Sequence, residues 1–142
     1  MENKESCIPF FSLPDLTGKE RNVSELLKEK RHTLFIYFSL LDSLPCIAER
    51  WVWPEIAKDE NIRVIGIAYH VSERELVDWV RNAKINFLVL FDKDLSAKKQ
   101  LGFEETPVKI FVNREGEILL KASYKEPISE FQKEMEKIIN EK

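Results

Sequence analysis

Ser43 and Cys46, separated by Leu44-Pro45 and set shortly after the apolar run Thr33-Leu34-Phe35-Ile36-Tyr37-Phe38, are the side chains best placed to do chemistry. A thiol in the first turn of a helix that follows a strand meets unpaired backbone N–H groups and the positive end of the helix dipole, which favour the thiolate. Cys46 is therefore the candidate nucleophile. In a C-x-x-C arrangement the first cysteine attacks and the second resolves the mixed disulfide. Here the first position is Ser43, and an alcohol cannot replace a thiolate near neutrality, so a disulfide cycle across these two positions is excluded. Cys7 resolves a sulfenate or mixed disulfide at Cys46 only if the fold brings the two thiols together. His32 and His70 show no metal-ligand spacing with the cysteines, and each reads as a surface or loop residue. The chain has no phosphate-cradling glycine loop, no G-x-S-x-G and no zinc pattern, so neither a cofactor nor a metal is expected.

The elements around these residues follow from local pattern. Phe10 to Pro14, followed by Asp15-Leu16-Thr17-Gly18-Lys19, reads as a short edge strand and a turn, and Ser24 as the N-cap of one or two helical turns. Thr33–Phe38 is apolar on both faces, as a central strand covered on both sides must be. From Cys46 to Lys58 the pattern is helical, with Pro54 predicting a kink or an early end. Trp51 and Trp53 lie two apart and cannot share a helix face, so one belongs to the core and the other to the surface, where it is available to a partner.

Ile62–Ala68 is a second core strand, and Ser72 with Glu75 forms a capping box that opens a helix through about Asn82, with Leu76, Trp79 and Val80 on one face. Phe87–Phe91 is a third strand, and Asp94–Lys99 a short helix ending near Gly102. Val108–Val112, the turn Asn113–Gly116 and Glu117–Leu120 make a hairpin. Pro127–Asn140, apolar at Ile128, Phe131, Met135, Ile138 and Ile139, closes the chain as an amphipathic helix. This order is an α/β pattern with parallel crossovers first and antiparallel strands last, a mixed sheet between two helix layers.

The bounds agree with that reading. A chain of 142 residues suits one domain, residues 1–142, with a core of its own. With 25 acidic against 22 basic side chains and a net charge of −3 there is no basic footprint for nucleic acid. No apolar stretch is long enough to span a membrane, and Met1-Glu2-Asn3-Lys4-Glu5 lacks the order of a signal peptide, so a cytoplasmic location is expected. Two cysteines do not make a disulfide scaffold. The oligomeric state is not legible.

Ile8-Pro9-Phe10-Phe11, Asp15-Leu16-Thr17-Gly18-Lys19, the stretch from Ser43 to Glu49, Thr106-Pro107, and Phe111-Val112-Asn113-Arg114-Glu115-Gly116-Glu117 together resemble landmarks of the thioredoxin superfamily. The likeness is strongest to the branch holding the AhpC/TSA peroxiredoxins and the TlpA-like thiol-disulfide reductases, and it spans nearly the whole chain. It implies a thioredoxin-like α/β fold: a central mixed β-sheet flanked by helices on both faces, with an N-terminal hairpin extension. It also implies that Thr106-Pro107 carries a cis-proline facing the redox motif, and that Pro45, Thr106 and Pro107 shape the groove that receives a partner.

Peroxiredoxins carry P-x-x-x-[TS]-x-x-C. Ser43 and Cys46 match its last two positions, Ser39 replaces the proline, and Ser43 would hydrogen-bond the thiolate. The arginine of that family falls on Val108 and is missing, which leaves Arg50 and Lys109 as possible substitutes; Glu49 keeps the acid three residues after the cysteine. The implied function is thiol redox chemistry through one cysteine: monothiol exchange with a protein or low-molecular-weight disulfide, or weak antioxidant reduction of peroxide. The alternative is a redox-inactive thioredoxin-like protein-binding domain.

Overall fold

A computed structural model describes residues 7–41, 49–102 and 106–141. Among the described residues seven strands and five helices follow in chain order: β1 (Ser12–Pro14), β2 (Glu20–Asn22), α1 (Val23–Leu26), β3 (His32–Ser39), α2 (Trp53–Ile56), β4 (Ile62–Tyr69), α3 (Glu73–Asn82), β5 (Leu88–Phe91), α4 (Ser96–Leu101), β6 (Val108–Asn113), β7 (Ile118–Ala122) and α5 (Ile128–Asn140). The expected edge strand is one arm of an antiparallel β1–β2 hairpin, with Leu13 opposite Arg21. The turn between its arms is built by Asp15, whose Oδ1 accepts from Thr17 N at 2.8 Å, Thr17 Oγ1 at 2.7 Å and Lys19 N at 3.1 Å.

The main sheet runs β5-β4-β3-β6-β7, parallel between β3, β4 and β5 and antiparallel between β3, β6 and β7. Every residue of β3 is buried, as a central strand covered on both faces requires. Successive β3 side chains point to opposite sides. Phe35 and Tyr37 join a core under β1, α1 and α4, whereas Leu34, Ile36 and Phe38 join a core under α2, α3 and α5. The mixed sheet between two helix layers is thus the observed architecture. Among the described residues, no helix is long and apolar enough to cross a membrane.

Several local expectations are met closely. Ser72 Oγ accepts from Glu75 N at 3.1 Å while the Glu75 carboxylate accepts from Ser72 N, a complete capping box on α3. Gly102 closes α4 with φ 69° and Gly116 closes the β6–β7 turn with φ 85°, backbone values at which a Cβ is strained.

Four expectations are corrected. The cap of α1 is Asn22, whose side chain accepts from Ser24 N at 2.9 Å, so the helix starts at Val23 and Ser24 lies inside it. The expected helix from Cys46 to Lys58 is not continuous: residues 50–52 are a turn, and α2 covers Trp53–Ile56 with Pro54 in its first turn, where its missing N–H is no loss. The expected Cys46–Ala48 portion of that helix lies outside the described residues. The α4 helix begins at Ser96, two residues later than expected, since Leu95 is left-handed at φ 63°. His32 is neither a surface nor a loop residue: it is buried in β3 and stacks on Phe111 with ring centroids 5.0 Å apart. Burial, followed by Arg31 and Arg114, holds its imidazole below the ordinary value.

Candidate active site

Strand pairing brings the ends of β3 and β4 and the start of β6 to one end of the sheet. β3 ends at Ser39, beside Tyr69 at the end of parallel β4, and Val108 at the start of antiparallel β6 sits opposite Tyr37. The chain that leaves β3 towards Ser43, Pro45 and Cys46 therefore departs from the same sheet end at which Thr106-Pro107 arrives. Those three residues lie within 42–48, outside the described residues, whereas Thr106 and Pro107 are described and joined by a cis peptide bond.

The described residues on both flanks of 42–48 are tied down. On the near side, Ser39 is buried and its Oγ accepts from Leu41 N at 3.1 Å. On the far side, Arg50 Nη2 donates to Ser39 O at 2.8 Å, linking the two flanks directly. Glu49 and Lys109 are brought together: Lys109 Nζ lies 3.2 Å from Glu49 Oε1 and donates to Glu126 O at 3.1 Å, while Glu49 Oε2 accepts from Trp53 Nε1 at 3.0 Å. The Lys109 side chain is 0% exposed and that of Glu49 9%. Lys109 is thus a buried cation engaged with Glu49. Of the two tryptophans, Trp53 is the core residue at 0% exposure and Trp51 the surface one at 75%.

A second polar network, which the sequence reading missed, supports Thr106 from the opposite face. The Tyr69 hydroxyl and Thr106 Oγ1 are 2.8 Å apart, and the Tyr69 ring lies 5.0 Å from that of Tyr37. The Tyr37 hydroxyl donates to Asp92, a fully buried carboxylate that also accepts from Ala97 N at 3.1 Å and Lys98 N at 2.9 Å. Burial first, and then the bond to Asp92, push the Tyr37 hydroxyl well above its ordinary value, so it remains a donor. The available signal was an acid placed directly after an apolar strand, where its carboxylate reaches the free N–H groups of the next helix.

Cys7 sits elsewhere. It is exposed and bridges to Glu117 beyond the β6–β7 turn, at the sheet end where His32 faces Asn113. The length of β3, roughly 23 Å at about 3.3 Å per residue, separates that end from Ser39. His70 is exposed beside the site end, with its ring 4.7 Å from that of Tyr69. No group of three or more His, Cys, Asp or Glu residues is placed to hold a metal ion among the described residues.

Sheet order, helix layers and hairpin define a thioredoxin-like fold, and solved structures agree. The chain is similar to a peroxidoxin, BcpB, from Mycobacterium tuberculosis, at 16% identity over 92% of each chain with a TM-score of 0.77. A secreted disulfide oxidoreductase from Mycobacterium tuberculosis, homologous to E. coli DsbE, matches at 16% identity over 95% of this chain and 99% of that one, TM-score 0.76. A thiol-disulfide oxidoreductase from Bacteroides fragilis matches at 20% identity over 91% of this chain and 98% of that one, TM-score 0.73. No family model and no curated protein matches the sequence, so the likeness is one of fold.

Proposed function

We propose that the chain is a thiol redox protein that acts as a single domain through one cysteine, Cys46. The observation that carries this reading is the pairing of β3 with β6, which delivers the chain leading to Cys46 and the Thr106-Pro107 backbone to the same sheet end. The similar structures are named as disulfide oxidoreductases and a peroxidoxin, which supports a disulfide or a peroxide as the co-substrate. In disulfide exchange the Cys46 thiolate attacks one sulfur of a protein or low-molecular-weight disulfide. A bond forms between Cys46 Sγ and that sulfur, the original disulfide bond breaks, and the second sulfur leaves as a thiolate that takes a proton from water. An external thiol then attacks the Cys46 mixed disulfide and regenerates the free cysteine.

In this reading Ser43 would donate its hydroxyl to the Cys46 thiolate, and the backbone at Thr106 and Pro107 would align the partner. With peroxide, the same thiolate takes one oxygen to become sulfenic acid and hydroxide leaves; one external thiol condenses with the sulfenic acid to a mixed disulfide and water, and a second releases the free cysteine and an external disulfide. Cys7, at the other sheet end, takes no part. A lone exchanging thiol without a resolving partner suits a reducing compartment such as the cytoplasm.

A second reading, a binding domain, has one observation in its favour: the large apolar side chains of Leu41, 81% exposed, and Trp51, 75% exposed, are open to a partner. Turnover separates the two. Under the redox reading, consumption of a small disulfide or of hydrogen peroxide, coupled to a reducing thiol, disappears in Cys46→Ala and persists in Cys7→Ser. Equal rates in wild type and Cys46→Ala would leave the binding reading.

A further inference from the structure

We propose that His32 is an acid-sensitive latch: as a neutral ring it holds the first residue of β3 in the sheet, and its protonation loosens that end. His32 lies between Ile62 of β4 and Asn113 of β6, at the sheet end opposite Ser39. Its ring is stacked on Phe111 at an interplanar angle of 16°, and only 6% of the residue is exposed. The Nδ1 atom is buried and has no hydrogen-bond partner among the described residues. A neutral imidazole can leave this nitrogen without a proton. An imidazolium carries an N–H on both nitrogens, so Nδ1 would become a buried donor with no acceptor.

The charges around the ring oppose protonation as well. Arg31 precedes it in the chain, and Arg114 reaches over from the β6–β7 turn, where its Nε donates to Lys30 O at 3.2 Å. Burial first, and then these two guanidiniums, hold the imidazole below its ordinary value. Lys30 donates its ammonium to Glu60 O at 2.8 Å. No acid of the neighbouring elements offsets these cations at the ring. Glu117 accepts from Asn113 Nδ2 at 2.7 Å, and Asp59 from Asn61 N at 2.8 Å. Glu115 is exposed on the turn, and Glu136 of α5 lines a cavity with Asp59 and Ile62. None of the four is paired with the imidazole among the described residues.

A hydrophobic side chain between Ile62 and Phe111 would fill the position at lower desolvation cost. What the imidazole adds is a response between about pH 5 and 8. Because the folded ring binds its proton more weakly than the unfolded one, its hold on the sheet is complete above pH 6.5 and is lost as pH falls through the lower folded value. The contacts that loosen belong to the core under α2, α3 and α5, which includes Ile62 and Phe111.

Two NMR measurements on the full chain, between about pH 7.5 and 5.5, test the latch. The first is the titration of the His32 C2–H resonance, identified by its loss in His32→Phe, a variant that keeps an aromatic ring against Phe111. The second is hydrogen exchange of the backbone amides at the start of β3 and the end of β6, corrected for its intrinsic pH dependence, in parent and variant. The resonance is expected to titrate below pH 6.5. Parental protection should fall more than about twofold further than the variant's, and by up to about tenfold per pH unit for one proton. His32→Gln takes the place of the phenylalanine variant if that fails to fold. A midpoint at or above pH 6.5, or a loss of protection in the variant within about twofold of the parent's, overturns the latch.

Discussion

Replacing Lys109 by methionine isolates the electrostatic part of the buried pair. Methionine has a similar length and no charge, so the packing change alone should cost less than about 1.5 kcal/mol. The larger effect falls on Glu49, whose side chain is 9% exposed and keeps only Trp53 Nε1, at 3.0 Å, of the partners described. Stranding one member of a buried pair costs about 3–5 kcal/mol, and the retained tryptophan bond points to the low end, about 3 kcal/mol. Glu49→Gln strands the ammonium of Lys109 and should cost a similar amount. The double variant strands nothing and should lose only about 1 kcal/mol, so the two single effects are strongly non-additive. Urea denaturation of the four proteins, at unchanged m-value, measures all of these quantities. Single substitutions that cost less than about 1 kcal/mol each, or that sum to the double, would refute the assignment of Lys109 as a charged residue dependent on Glu49.

Three further outcomes follow from the core and the hairpin. Tyr37→Phe removes one partner from fully buried Asp92 and should cost about 1–3 kcal/mol in a denaturant melt. Because the folded Tyr37 hydroxyl is held above its ordinary value of about 10, its share of stability is complete below that pH and declines as pH rises beyond it, and Tyr37→Phe should flatten the alkaline limb. Asp15 is lowered from 3.8 to about 2, first by the Thr17 hydroxyl and then, against some burial, by the Thr17 and Lys19 amides and Arg21. Its contribution is present above pH 3.8 and lost as pH falls towards 2, so Asp15→Asn should be less stable at neutral pH and show a shallower acid limb. At Gly66, a Cβ would lie 3.0 Å from Phe87 and 3.1 Å from Phe38, so Gly66→Ala should destabilise by roughly 1–3 kcal/mol in the same melt.

What the sequence shows and what it hides divide along the range of the interactions. The Ser72–Glu75 box, the doubly buried β3 and the apolar stripe of α5 are local patterns with one dominant reading, and the structure has each of them. Asn22 and Ser24 are both good caps two residues apart, and the contacts of the β1–β2 hairpin rather than the residue types chose between them. That Trp51 and Trp53 part company was legible from their spacing, but not which one turns inward. The burial of Lys109 was not legible, because the carboxylate that makes it tolerable is 60 residues away in the sequence. His32 is buried by the stacking face of Phe111, and Tyr69 finds Thr106 across the end of β3; both contacts exist only once the sheet is assembled. Of the site, Cys46 was legible from its place at the start of a helix and Thr106-Pro107 from the resemblance to thioredoxin-like proteins, while the polar networks around Lys109 and Thr106 came from the packed structure.

The most direct measurement is the covalent state of Cys46 after the Cys7→Ser protein meets an excess of a disulfide-bonded peptide, quenched with acid and read by peptide mass mapping. The account predicts a mixed disulfide between Cys46 and one half of the peptide, with release of the other half as a free thiol, and its reversal by added reducing thiol. A free Cys46, under conditions in which a simple thiol exchanges readily with the same peptide, would contradict it.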